Sequence, residues 1–180
     1  MSTYTSLTFS GKSYDFLDPK PEQIDIQDIA HALSMTCRYN GHSAEFCSVA
    51  EHSVLVSCLI EAYEPTYTFE ALMHDAAEAY VGDVITPLKR LLPDFQAIEL
   101  LCEETIEQKF SLALDWREKT KAADRLAYNI ERLNLFPHLV DAHPEWEVPE
   151  RLRNTKPYCL PPEKADAHFL TRYETLKGSL

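Results

Sequence analysis

Two histidines and two aspartates carry the chemistry this chain could perform. His52 sits in Ala50-Glu-His-Ser-Val-Leu-Val56, the pair His74-Asp75 in Ala71-Leu-Met-His-Asp-Ala-Ala77, and Asp124 in Lys121-Ala-Ala-Asp-Arg-Leu-Ala127. Each lies among apolar or small residues in a stretch of helical character, so three helices would offer imidazole and carboxylate groups to one bundle centre. Burying such groups without partners is costly, and a divalent cation removes that cost. Two imidazoles with two carboxylates suit one ion of Mn, Co, Fe or Zn with room left for water. Neighbouring helical positions point about 100° apart, so His74 and Asp75 share an ion only if it lies between their directions. Glu78 follows His74 by four residues and Asp75 by three, hence on the same face. There its carboxylate can accept or deliver a proton for an attacking water. Singly, each group has a plainer reading: a satisfied core histidine for His52, or a surface ion pair for Asp124 beside Arg125. The combination is what points to a metal centre.

The elements that must position these groups follow from periodicity and punctuation. Thr3 to Phe16 alternates β-formers around Ser10-Gly11-Lys12 and reads as a hairpin. Helices are expected over 25–38, 43–62 and 68–81, the last ended by Gly82. A short basic turn opens at Thr86-Pro87, and further helices are expected over 94–110 and from Asp115 to Leu135. Asp115 followed by Glu118 resembles a capping box for that last helix. Proline-rich loops then run from Pro137 to Pro162, before a final amphipathic helix over 163–177. The fold expected is all-α in a single domain over 1–180. It divides into a hairpin over 1–18, motif-bearing helices over 25–135, and loops with a last helix over 136–180.

The pattern His52…His74-Asp75…Asp124 resembles the H…HD…D signature of the HD-domain phosphohydrolase superfamily. The run from Met73 to Lys89, MHDAAEAYVGDVITPLK, is similar to that superfamily's bacterial 5'-deoxynucleotidase branch, and the likeness extends over about 25–135 to include Cys37-Arg-Tyr-Asn-Gly-His42. The resemblance implies an HD-domain helical bundle in which His52, His74, Asp75 and Asp124 bind one metal. It implies that Glu78 acts on the attacking water, that Asp83 lines the same pocket, and that Arg38 contacts phosphate. Thr86 and Lys89 become candidates for holding phosphate, although Lys89-Arg90 also reads as a solvated helix end. Tyr39 stands where that branch carries a tryptophan beside the sugar, a departure that leaves deoxyribose selection open. HD enzymes with two metals resemble one another in adding histidines after the HD pair. Here none occurs between His74 and His138, so one metal is expected.

The other candidates are less specific. His42 ends the loop that carries Arg38 and could reach the pocket mouth. His31 reads as packing, His138, His143 and His168 as surface groups, and Trp116 and Trp146 as packing anchors. Five cysteines without a C-x-x-C pair fit reduced thiols in a cytosol better than a disulfide frame. No apolar run is long enough to span a bilayer, and no basic-then-apolar leader opens the sequence, so a soluble, cytoplasmic protein is expected. A net charge of −12 makes a nucleic-acid polymer an unsuitable partner, since binding one means neutralising many phosphates. A small phosphorylated substrate needs only a metal and local cations.

The function expected is metal-dependent hydrolysis of a (deoxy)nucleoside 5'-monophosphate to nucleoside and phosphate. Its rivals are a deoxynucleoside triphosphate triphosphohydrolase, a nucleotide-binding regulatory module with a structural metal, and a metal-free helical scaffold. The resemblance also implies a homo-oligomer, with a dimer as the simplest case.

Overall fold

The computed structural model describes residues 4–178. Residue 3, where the hairpin was expected to begin, lies outside them. Strands β1 (Thr5–Leu7) and β2 (Ser13–Asp15) pair antiparallel, with Thr5 opposite Asp15 and Leu7 opposite Ser13. Gly11 turns the chain at φ 85°, a left-handed conformation that costs glycine nothing. The tip is tied to the helices. Ser10 donates from its N and Oγ to the buried Asp28 carboxylate at 2.5 and 2.8 Å. Phe9 stacks on His31 with ring centres 3.9 Å apart, so His31 packs as expected.

Helix α1 (Ile26–Met35) buries Ile29, Ala30 and Leu33 along one stripe, as its spacing requires. Helix α2 (Val49–Ile60) is buried nearly all round and packs against α1, α3, α7 and α8, which makes it the central element. It starts later than the expected 43. Ser48 caps it by accepting from Glu51 N at 3.2 Å, and a bridge between Cys37 and Ser48 pinches off residues 38–47 as a loop. Phe46, expected on the helix, therefore lies in that loop and is exposed.

The helix expected over 68–81 is divided into α3 (Thr68–Met73) and α4 (Glu78–Val81). Residues 74–77 keep a helical path, but the bonds tighten: Ala76 N donates to Met73 O and Glu78 N to Asp75 O, each three residues back. The reason is local. The His74 ring bonds to Ala71 O at 2.8 Å, the carbonyl that an unbroken α-helix would offer to the Asp75 N–H. Gly82, at φ 84°, ends α4 as expected.

Helices α5 (Thr86–Lys89), α6 (Pro93–Phe110) and α7 (Trp116–Leu135) follow. The capping box expected at Asp115 does not form. Its backbone lies at φ −99°, ψ 9°, away from the extended geometry of a side-chain cap, and its carboxylate accepts from the Tyr67 hydroxyl at 2.8 Å instead. After two 3₁₀ turns, helix α8 (Pro162–Lys177) packs on α1, α2 and α3 and buries Ala165, Phe169 and Tyr173. The last helix is thus part of the core. No described helix is long and apolar enough to cross a membrane.

Asp25 caps α1 by accepting from Gln27 N at 3.0 Å and also pairs with Lys12. The hydrogen bond from Gln27 lowers its pKa against the opposing effect of burial. Asp25→Ala should cost about 1 kcal/mol at neutral pH. A depressed folded pKa makes that contribution complete above the unfolded value and lost as pH falls through the folded one. Thermal melts of both proteins should therefore begin to converge as pH falls below about 4, the unfolded aspartate value, and meet only below the lower folded one.

Candidate metal centre and its pocket

Three elements deliver the candidate ligands: the middle of α2 brings His52, the tightened turn after α3 brings His74 and Asp75, and α7 brings Asp124. Asp124 Oδ1 lies 3.1 Å from His52 Nε2 and 4.0 Å from His74 Nε2. Asp75 Oδ2 lies 3.1 Å from His74 Nε2 and 3.7 Å from His52 Nε2. Atoms bound at about 2.0–2.2 Å to one ion stand roughly 3–3.5 Å apart, a range that holds the two shorter separations and that the two longer ones exceed by a few tenths of an ångström. His52, His74 and Asp124 form a compact group able to hold a metal ion, each offering one atom within 4.8 Å of the others. Asp75 adjoins it through both imidazoles.

The tautomers follow from the partners behind the rings. A carbonyl only accepts, so His74 donates from Nδ1 to Ala71 O and presents the Nε2 lone pair to the centre. His52 Nδ1 lies 2.7 Å from Glu131 Oε1, which assigns its proton to Nδ1 as well. His74 Nε2 is buried and has no hydrogen-bond partner. The His74 Nε2 lone pair faces the Asp75 and Asp124 carboxylates, and such a group is satisfied by a cation, so the donor set fits a metal.

Charges around the centre are graded. Without an ion, burial and Arg38 oppose protonation of His52, but Glu131 and Asp124 outweigh them and raise its pKa to about 9, so a proton on Nε2 then holds the place a metal would take. Burial would raise Asp75, yet His74, His52 and Arg38 keep it well below the usual carboxylate range. Asp124 is also lowered: its hydrogen bond to His52 overcomes burial. Glu78 goes the other way, pushed well up by burial and by the carboxylates of Asp75 and Asp83. Asp83 is raised by burial, against the pull of Arg38.

A cavity of about 540 Å³ opens over the centre. The residues expected to bind substrate (Arg38, Tyr39, Thr86 and Lys89) all line it, as do Glu78 and Asp83, expected to be catalytic, and Asp75 and Asp124. Thr86 is exposed at its place in the lining, and Lys89 is tied to Glu99 Oε1 at 2.6 Å, so its charge is largely committed. His42 is exposed and does not line the cavity. Arg38 is buried, with Nε 3.0 Å from Glu131 Oε2 and Nη1 3.8 Å from Asp75 Oδ2. The following residues, Tyr39 and Asn40, are left-handed at φ 58° and 50°. For a tyrosine that conformation costs about 1–3 kcal/mol. Its hydroxyl donates to Glu131 Oε2 at 2.7 Å and its ring stacks with Tyr128.

Four residues near the centre escaped the sequence reading: Lys121, Arg125 and Tyr128, which line the cavity, and Glu131 behind it. The available signal was helical spacing on α7, where 121, 124, 128 and 131 recur at three- and four-residue steps from the ligand Asp124. Trp116, whose Nε1 donates to Glu107 at 2.7 Å, and Trp146, buried under His143 and Arg132, are packing anchors as expected. His143 thus has a packing role beyond the surface one expected.

No family model matches the sequence. The chain is 38% identical over 172 residues to the Escherichia coli (strain K12) uncharacterized protein YfdR, across 94% of this chain and 93% of that protein. It is 45% identical over 86 residues to an uncharacterized protein of Rhodobacter capsulatus, across 44% of each.

Elemental analysis after dialysis against trace metal should find one equivalent of a divalent ion in the wild type and none in His52→Ala or His74→Ala. Adding that ion at about 100 times its Kd should stabilise the stripped wild type by about 2.7 kcal/mol, read as a rise in Tm, and leave both variants unmoved.

Proposed function

The chain belongs to the same family as Escherichia coli YfdR, and from its own centre we propose a metal-dependent phosphohydrolase of the HD-domain type. It hydrolyses a (deoxy)nucleoside 5'-monophosphate to nucleoside and phosphate. One observation carries the reading: two imidazole Nε2 atoms and two carboxylates converge beneath a cavity that also holds a buried arginine. The ligands are His52, His74, Asp75 and Asp124, and the ion is Mn, Co, Zn or Fe.

A divalent ion held there supplies Lewis acidity toward a phosphoryl oxygen and acidifies a neighbouring water. The chain's own residues do the rest. Arg38 keeps its charge in spite of burial, because the Glu131 carboxylate faces it, and with Nε taken it turns its remaining N–H groups to phosphate oxygens. Glu78 holds or passes the proton of the attacking water, and burial beside the Asp75 and Asp83 carboxylates raises its pKa, which favours a proton on it. Tyr39 and Tyr128 form the aromatic wall against which the nucleoside rests. The cavity volume matches a nucleotide-sized ligand. All five cysteines are free thiols, and we place the protein in the cytoplasm on that basis.

A second reading has its own observation. Lys121 and Arg125, one turn apart on α7, add two exposed cations to the cavity wall. Further phosphate groups would find partners there, which favours triphosphohydrolysis of a deoxynucleoside triphosphate.

Chromatography of products from the metal-stripped enzyme, resupplied with Mn, Co or Zn, separates the readings across deoxy- and ribonucleoside mono- and triphosphates. Phosphate from monophosphates is expected; release of intact triphosphate would establish the second reading, and no product at full metal occupancy would refute both. Glu78→Gln should lose roughly 10²–10⁴-fold in kcat while still binding metal. Unchanged turnover in that variant would remove Glu78 from the mechanism.

A further inference from the structure

Glu131 does not line the cavity, yet it is fully buried and commits both oxygens to groups at the centre and in the cavity wall. Oε1 accepts from His52 Nδ1 at 2.7 Å. Oε2 accepts from Arg38 Nε at 3.0 Å and from the Tyr39 hydroxyl at 2.7 Å. We propose that Glu131 is a positioning residue that aims both halves of the centre, the His52 lone pair at the metal and the Arg38–Tyr39 arm at the substrate. The inference deepens the reading above and rests on it.

The physical case has two parts. A neutral imidazole carries its proton on either nitrogen, and only a proton on Nδ1 leaves the Nε2 lone pair for a metal. A carboxylate at Nδ1 selects that tautomer and makes the ring more basic toward the ion. On the other side, Tyr39 and the Asn40 that follows it are both left-handed, a path the backbone resists. The bond from the Tyr39 hydroxyl and the stack on Tyr128 hold the arm there. Fixing Nε of Arg38 leaves its terminal nitrogens for the cavity. Since α7 carries both Asp124 and Glu131, one helix sets a metal ligand and its supporting carboxylate together.

The isosteric Glu131→Gln separates this role from mere packing. An amide offers one accepting oxygen and a donating NH₂, so it cannot accept from His52 on one side and from Arg38 on the other. In the folded variant, competition with a chromophoric chelator should show Zn affinity lowered by roughly 10–100-fold without any substrate present. KM for the nucleotide should rise as well. Tyr39→Phe, which removes one bond to Oε2 and leaves His52 alone, should raise KM while keeping the wild-type Zn affinity. Glu131→Gln with wild-type Zn affinity and KM overturns the proposal. So does Tyr39→Phe with unchanged KM, for the substrate arm. If Glu131→Gln does not fold, the His52 half is read in the Zn-loaded wild type by proton–nitrogen correlation spectra. A proton on Nδ1 is expected there, and one on Nε2 overturns the assignment. Wild-type protein that binds no Zn, Mn or Co at all removes the metal centre, and this half of the proposal with it.

Discussion

A carboxylate buried as completely as Glu131 persists only if every lone pair it turns inward has a partner, and satisfying that demand organises the centre. Arg38 supplies the counter-charge, the Tyr39 hydroxyl and His52 Nδ1 supply the remaining donors, and burial is thereby overcome: the Glu131 pKa falls to about 2. Glu131 lies on α7, and its partners lie on α2 and on the loop that precedes α2. Meeting one electrostatic requirement therefore adds to the apolar packing of α2 on α7 in fixing the relative placement of three elements.

Around that pivot the same small volume holds carboxylates of two kinds. Asp75 and Asp124 face imidazoles and stay ionised, the state a cation needs. Glu78 and Asp83 are partly buried near other carboxylates and are driven toward protonation. Such environments push neighbouring acids apart in pKa without any change of residue type, the division on which the proposed mechanism draws.

The helix divides between α3 and α4 at the centre itself. Through the tightened turn at 74–77, His74 Nε2 and Asp75 Oδ2 still approach to 3.1 Å from adjacent positions. The His74–Ala71 bond both occupies the carbonyl that the Asp75 N–H would use in an unbroken helix and places the ring proton on Nδ1. Gly82 then ends α4 and sends the chain through Asp83 to α5, which closes one side of the cavity.

Much of this was legible in the sequence by itself. Apolar spacing located the helices, Gly11 and Gly82 marked their turns, and the types and spacings of His52, His74, Asp75, Glu78 and Asp124 singled out the centre before any coordinates. Those signals are local, written in the 3.6-residue period and in what one side chain does to its own backbone. Tertiary structure alone decided the rest. It brought Glu131 against Arg38 and Tyr39 from 93 and 92 residues away and committed Lys89 to Glu99. It also turned Lys121 and Arg125 to the cavity and drew the Asp115 carboxylate from its cap to Tyr67. A charged residue carries no mark of which partner will satisfy it, because that depends on which distant groups are buried beside it.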